Sequence, residues 1–135
     1  MKAILSVVLT VSLIAWAVEL AAEHAGWRRT DRPDVIVVQN YYYAKPGQAA
    51  EVYQWRLHAS DVRVKLGFLR GRVLRNLSPK KDQPDVIWEC EYPSAEARER
   101  EAAAVGAAVE FQAVQNHMST LIGRFDRGTY SVASH

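Results

Sequence analysis

The chain has 135 residues, which is enough for one domain. Its apolar fraction of 49% and charged fraction of 24% are those of a globular protein and exclude a disordered chain. The net charge of +2 comes from interspersed residues of both signs. There is no basic stripe with interleaved aromatic residues, so nucleic acid is not an expected partner.

Residues 1–22 form an apolar leader. Lys2 precedes sixteen uncharged residues, 3–18, and the small residues Ala21 and Ala22 follow. This order is typical of a secretory signal peptide and predicts a periplasmic or secreted protein. As a helix the apolar stretch spans about 24 Å, less than a bilayer core of roughly 30 Å. The alternatives are an uncleaved membrane tether through residues 3–22 and a cytosolic helix packed on the domain.

A polar linker over 23–33 leads to a single domain over 34–135. β-branched and aromatic runs predict strands, and apolar periodicity bounded by Ser, Gly and Pro predicts helices. In chain order we predict strand 34–44, helix 47–66, strand 70–77, a hairpin loop over 78–84 and strand 86–92. A helix over 94–105, capped by Ser94, follows. After a kink at Gly106 we predict a helical piece that carries Phe111 to Phe125 on one arc, and then strand 129–133.

The order βαββαβ predicts the α+β class: a ferredoxin-like plait whose antiparallel sheet has helices on one face. The strand over 34–44 presents apolar or aromatic side chains on both of its faces, more than one helical layer covers. An exposed apolar sheet face is an interaction surface. We therefore predict a homodimer in which the two sheets meet face to face.

The helix over 47–66 places two arginines, Arg56 and Arg63, in the middle of its apolar arc. Because an unpaired buried charge is costly, counter-charges are expected, and Glu89 and Glu91 on the strand over 86–92 are the nearest predicted partners. One interpretation is a pocket that binds a carboxylate or another oxyanion. The alternative is a set of structural ion pairs, or arginines that extend past the sheet edge.

Polar and aromatic groups on the strands suggest a pocket lining. Tyr41 and Tyr43 share one strand face, and Asn40 lies on the other. Trp88 shares its face with Cys90. We predict Asn40, Tyr41, Tyr43 and Trp88 as ligand-binding residues beside the two arginines, with core packing as the alternative for the tyrosines and the tryptophan.

Signals for catalysis are weak. His117, at the edge of the last apolar stripe, is a candidate general base, and Glu89 and Glu91 are the other catalytic candidates. A solvated helix-edge histidine is the alternative for His117. No two histidines have the spacing of metal ligands, so neither a metal nor a cofactor is expected.

Several of these segments together resemble the NIPSNAP-type members of the dimeric α+β barrel superfamily. The resemblance rests on Tyr41 to Gly47, on Trp88 with Tyr92, Ser94 and Arg98, and on Phe111, Met118 and Phe125. It covers about 100 residues, from the first strand onward, and implies a dimeric barrel. Related branches are stress-responsive barrels, antibiotic-biosynthesis monooxygenases that use no metal or flavin, and haem-degrading barrels that need an axial histidine. No catalytic set of these branches matches here residue by residue.

Three functions follow as expectations. The first is binding of a small hydrophobic or aromatic ligand in the barrel by an exported homodimer. The second is a cofactor-independent monooxygenase or isomerase acting on such a ligand. The third is a structural or assembly dimer.

Overall fold

A computed structural model describes residues 35–133 of the chain. The predicted leader over 1–22 and linker over 23–33 lie outside the described residues and stay predictions. No helix within residues 35–133 is long and apolar enough to cross a membrane. The elements are β1 (Ile36–Ala44), α1 (Ala49–Lys65), β2 (Arg72–Arg75), β3 (Val86–Tyr92), α2 (Ala95–Ala107), α3 (Val109–Leu121) and β4 (Ile122–Ser131).

The four strands form one antiparallel sheet in the order β2-β3-β1-β4. The order is that of a ferredoxin-like plait, because the two strands adjacent in the centre, β1 and β3, are each followed by a helical segment. The predicted fold class is confirmed. The register places Asn40 of β1 opposite Trp88 of β3 on one side and opposite Arg127 of β4 on the other.

The hydrophobic core lies on one face of the sheet. Along β3 the buried residues alternate with more exposed ones, as a strand with one covered face requires. Val52 of α1 and Met118 of α3 pack on this face in one buried cluster. A second cluster joins Val105 of α2 to Phe111 of α3. The three helices therefore cover the same face, and the opposite face is left open.

Local signals set most element ends as predicted. The hydroxyl of Ser94 accepts a hydrogen bond from the N–H of Ala97 at 3.1 Å, so Ser94 is the N-cap of α2. Gly67 follows the end of α1 with φ +82°, a left-handed conformation that glycine adopts without strain. Gly106, a predicted kink, lies inside α2, and the break between helices falls at Ala108.

The predicted helix through Phe125 is wrong. α3 ends at Leu121, and the chain passes directly into β4 at Ile122, so the last strand is longer than the predicted 129–133. Phe125 is four residues after Leu121 and fits the helical arc by spacing alone. Pairing with β1 decides against the helix, since Phe125 stands opposite Tyr42 in the sheet.

Candidate ligand cavity

A cavity of about 400 Å³ lies between the helix-covered face of the sheet and the helices. That volume is within the range of small-molecule sites, about 300–1,000 Å³. β1, β3 and β4 form its floor, and residues of α1, α2 and α3 form its walls.

Much of the wall is aromatic or aliphatic. Trp88 and Tyr92 of β3 contribute aromatic rings, and Phe111, Val114 and Met118 of α3 contribute the opposite side. All five are buried. The three α3 residues belong to the apolar stripe that the sequence predicted, and here the stripe faces both the core and the cavity. An apolar wall of this kind suits the body of a small hydrophobic molecule.

The cavity opens toward solvent along α3 and β4 and also beside α2. Among its lining residues, Gln115 and Ser119 of α3 are exposed, and so are Phe125 and Arg127 of β4 and Ala102 and Gly106 of α2. β4 is an edge strand, so its helix-side residues are only partly covered. Phe125 packs edge-on against the buried Tyr42 ring, with the centroids 5.4 Å apart. The exposed residues therefore mark a mouth.

The charged residues that line the cavity are all arginines. They are Arg56 and Arg63 of α1, Arg98 of α2 and Arg127 of β4. Among the described lining residues there is no aspartate, glutamate or histidine. The lining residues therefore carry only positive formal charge, although Glu101 neutralises Arg63 from behind the wall.

Arg56 is the most unusual of these residues. It is 4% exposed, and its Nε has no hydrogen-bond partner among the described residues. Its guanidinium lies over the Trp88 ring, 5.1 Å from the centroid. Burial lowers the pKa of Arg56; Tyr42 opposes this effect, and the positive charge of Arg63 adds to it. Because an arginine side chain does not lose its proton in a protein, the site holds a buried cation.

Arg63 lies two helical turns further along α1 and is fully paired. It forms a salt bridge with Glu101 of α2, and both side chains are largely buried. Its Nε donates to the carbonyl oxygen of Leu69 at 2.8 Å. The Tyr92 hydroxyl donates to the same glutamate at 3.3 Å, and burial raises the pKa of Tyr92. Arg63, Glu101 and Tyr92 thus form a satisfied polar cluster at the cavity wall.

Trp88 is fixed from two directions. Its indole N–H donates to the carbonyl oxygen of Arg70 at 3.0 Å. The guanidinium of Arg63 lies 4.7 Å from its ring centroid, close to that of Arg56. A cation over an aromatic face is electrostatically favourable, so the ring partly compensates two neighbouring positive charges.

The structure divides the predicted ligand-binding residues between the two faces of the sheet. Asn40, Arg56, Arg63 and Trp88 line the cavity. As ligand contacts they stay predictions. The buried Asn40 accepts a hydrogen bond from Arg127 Nε at 2.7 Å and so connects the floor to the mouth.

Tyr41 and Tyr43, predicted with that set, do not line this cavity. They lie on the open face of the sheet, because their strand alternates with Asn40 and Tyr42. Tyr41 joins a hydrogen-bonded chain there with Tyr130 and Gln39. Burial raises the pKa of Tyr41 to about 12, and its hydrogen bond with Tyr130 contributes.

The expected counter-charges, Glu89 and Glu91, are not the partners of Arg56 and Arg63. Glu89 points to the open face, where it accepts from Gln39 and pairs with Arg72. The Gln39 hydrogen bond holds the pKa of Glu89 below its usual value, and Arg72 lowers it further. Glu91 is exposed on the same strand. The prediction failed because the strand register turns both glutamates away from α1.

The third catalytic candidate, His117, is an exposed residue of α3 that does not line the cavity. Its ring packs against Trp55, with the centroids 4.2 Å apart. Within residues 35–133 no group of three or more His, Cys, Asp or Glu side chains is arranged to hold a metal ion. The described cavity is lined by aromatic rings and guanidinium groups.

The charged residues Arg98, Glu101 and Arg127 were not predicted from the sequence as site residues, although Arg98 contributes to the family resemblance. The first two belong to the charged run 96–101, which has no periodicity that marks one member as buried. Arg127 was hidden by the wrong helix assignment. The alternation of Phe125, Arg127 and Thr129 in a strand beginning at Ile122 is the signal that identifies its face.

Comparison with known proteins finds similarity in structure. No family model and no curated protein matches the sequence. A NIPSNAP family protein of Agrobacterium tumefaciens superposes with a TM-score of 0.57 at 16% identity, covering 74% of this chain and 87% of that one. The chain has a NIPSNAP-like fold.

Two other solved structures also superpose on this chain. A dimeric protein of unknown function from Bacteroides fragilis has a TM-score of 0.56 at 10% identity, covering 73% of this chain and 96% of that one. SnoaB, a cofactor-independent oxygenase of Streptomyces nogalater, has a TM-score of 0.55 at 14% identity, covering 76% and 96%. At these identities the likeness is one of fold.

Proposed function

We propose that the protein binds a small molecule with a hydrophobic or aromatic body in the cavity of each protomer. The observation that carries this proposal is the cavity of about 400 Å³ beneath the helices. A wall of buried aromatic and aliphatic side chains favours an apolar ligand body. The polar groups of Asn40 and the arginines fix its orientation.

We further propose that the functional unit is an exported homodimer. The open sheet face and the dimeric neighbour from Bacteroides fragilis support the dimer. The apolar leader over 1–22 supports export. Cell fractionation with N-terminal sequencing of the mature chain tests export: a chain that starts at Met1 in the cytoplasm contradicts it.

The test of ligand binding closes the mouth of the cavity. Ser119 is exposed and lines the mouth, so Ser119→Trp is expected to block entry without overpacking the core. Asn116→Trp is the matched control, since Asn116 is exposed on the same helix and does not line the cavity. Native mass spectrometry of the purified protein and thermal-shift titration with bicyclic arenes measure occupancy.

The expected result is retained mass or stabilisation by an arene in the wild type and in Asn116→Trp, and its loss in Ser119→Trp. Equal behaviour of both variants contradicts binding in this cavity. Absence of any ligand in all three proteins favours an assembly role for the dimer.

A cofactor-independent oxygenase is the second function, and one feature of the site favours it. The Tyr92 hydroxyl hydrogen-bonds Glu101 at the cavity wall, so a hydroxyl–carboxylate pair that can pass a proton sits beside the ligand volume. Such enzymes need proton transfer as well as a shaped cavity. Oxygen uptake in the presence of a bound dihydroxyarene tests this function; uptake that Tyr92→Phe abolishes while binding persists supports it, and no uptake contradicts it.

A further inference from the structure

We propose that the ligand of this cavity is a monoanion, an aromatic or other apolar carboxylate whose carboxylate pairs with Arg56. The inference rests on the proposed function, because it names the chemical class of the molecule that the cavity binds.

Arg56 is buried and has no counter-charge among the described residues. Its side chain is 4% exposed, lines the cavity and makes no ion pair with any described residue. Its Nε is buried without a hydrogen-bond partner in the described chain. Buried charges in proteins are paired, since an isolated one is costly. The missing partner of Arg56 is therefore an anion that enters the cavity.

Arg63, on the same helix, differs from Arg56 in having a carboxylate partner. Both guanidiniums lie over the Trp88 ring, at 5.1 Å and 4.7 Å from its centroid. Arg63 already has a carboxylate, Glu101, as its partner. One protein carboxylate therefore serves two stacked arginines, and the uncompensated charge is on Arg56. A carboxylate fits this position because a guanidinium binds two carboxylate oxygens in a planar fork.

Two further arginines lie along the path by which an anion enters the cavity. Arg127 at the exposed mouth is held by the hydrogen bond of its Nε to Asn40, and Arg98 lines the cavity from α2. Positive groups along a cleft with apolar walls concentrate anions and raise their association rate. The charge of the cavity thus runs from the mouth to the buried Arg56.

The apolar part of the cavity wall favours a ligand with only one charged end. Besides the arginines, the wall includes Phe111, Val114 and Met118, whose side chains are buried and offer no hydrogen bonds. A second anionic group placed against this wall is desolvated without a partner. The arrangement favours an apolar body with a single carboxylate over a polyphosphate or a dicarboxylate.

The experiment compares two probes of equal shape, 2-naphthoate and its neutral amide 2-naphthamide, by calorimetric titration. The proteins are the full chain, Arg56→Gln, Arg56→Lys and Arg100→Gln. Arg100 is the matched control because it is an exposed residue of α2 that does not line the cavity, and its substitution changes the net charge by the same amount.

We expect the wild type to bind naphthoate at least about tenfold more tightly than naphthamide, as a charge-assisted hydrogen bond in a dry site implies. Arg56→Gln should remove this preference and keep the affinity for naphthamide. Arg56→Lys should retain part of the preference, because it keeps the charge and loses the fork. Arg100→Gln should behave as the wild type.

Each other outcome decides against a specific statement. Equal affinity of the wild type for the two probes overturns the anion inference and leaves the proposed function intact. A preference that persists in Arg56→Gln overturns the assignment to Arg56. If neither probe nor their monocyclic and biphenyl homologues bind, the proposed function fails and the inference fails with it. Should Arg56→Gln not fold, the wild-type preference and Arg56→Lys decide.

Discussion

Arg56 and Arg63 are the same residue type on one face of one helix, and both contact the same tryptophan. Only Arg63 has a carboxylate partner. Their contributions to stability should therefore differ in sign. Arg63 neutralises a buried carboxylate, so its removal should destabilise the fold. An unpaired buried arginine raises the free energy of the folded state, and it is retained because it binds a ligand.

Replacing Arg63 by Met should lower the free energy of unfolding by about 2–3 kcal/mol, because Glu101 keeps its hydrogen bond from Tyr92 but loses its counter-charge in a largely buried position. The partial exposure of the Glu101 side chain, 14%, places the expected loss below that of a fully buried pair. Replacing Arg56 by Met should leave stability unchanged or raise it. Urea denaturation of the two variants, with Arg100→Met as the surface control, measures both effects.

A loss of more than about 1 kcal/mol in Arg56→Met is the contrary result, since it exceeds the cation–π contact with Trp88 and indicates a structural role. In the wild type, saturating naphthoate should raise the melting temperature, because a ligand that binds only the folded state stabilises it. The Arg56→Met variant should lose that response.

The sequence placed Arg56 and Arg63 correctly, but the partners predicted for them, Glu89 and Glu91, were wrong. The helical period alone places both side chains in an apolar arc, because that geometry is local. The identity of the counter-ion is a tertiary fact. Glu89 was nearer in the predicted order, but Glu101 lies beside Arg63 because α2 packs over the same face of the sheet.

Among the elements, the turn that leads into β2 is the most tightly constrained by the site. Gly71 has φ +69°, and a Cβ added there would lie 2.2 Å from Trp88 Nε1. The indole is fixed in this position by its hydrogen bond to Arg70. The absence of a side chain at Gly71 therefore lets the wall of the cavity pack against the backbone.

The substitution Gly71→Ala should destabilise the protein by more than the cost of a left-handed backbone alone, about 1–2 kcal/mol. The excess reflects the displacement of Trp88, and near-ultraviolet circular dichroism should report the disturbed indole. Gly67→Ala is the matched control, because Gly67 also has a positive φ, +82°, and a Cβ there meets nothing within 4 Å. Equal losses in the two variants refute the packing argument.

Element boundaries were predictable where a local device sets them. Ser94 as an N-cap and Gly67 as a C-terminal stop act through their own backbone neighbours, and both predictions are confirmed. The end of α3 has no such device. The N–H of Lys45 donates to the carbonyl oxygen of Leu121, and Ile122 pairs with Ala44, so contacts with the end of β1 terminate the last helix.

For the whole molecule, the two faces of the sheet have different chemistry. The helix-covered face carries the cavity and its arginines. The open face carries a polar chain from Tyr130 through Tyr41 and Gln39 to Glu89. The sequence predicted a second interaction surface from the aromatic residues of β1, and the open face stays the proposed dimer surface. Which face holds a cavity was not predictable, since alternation separates the faces without orienting them.

The open face provides a test that separates the dimer from the ligand site. Ile87 lies on this face between Tyr41 of β1 and Leu74 of β2, and it is half-buried. In a dimer that joins two open faces, Ile87→Lys places two like charges in a desolvated interface. The dimer should weaken by more than about tenfold, because a buried unpaired charge is expensive. Light scattering over a concentration series measures the dissociation.

Binding of 2-naphthoate by Ile87→Lys should survive, since the cavity lies on the helix-covered side of the sheet and Ile87 lies on the open face. Leu77→Lys is the control: Leu77 is 87% exposed beyond the end of β2, so the same charge there should change neither property. A dimer of wild-type strength in Ile87→Lys assigns the interface to another surface. Loss of binding together with loss of the dimer shows instead that the second protomer shapes the cavity. Contacts at the dimer interface would then affect the ligand site through the sheet.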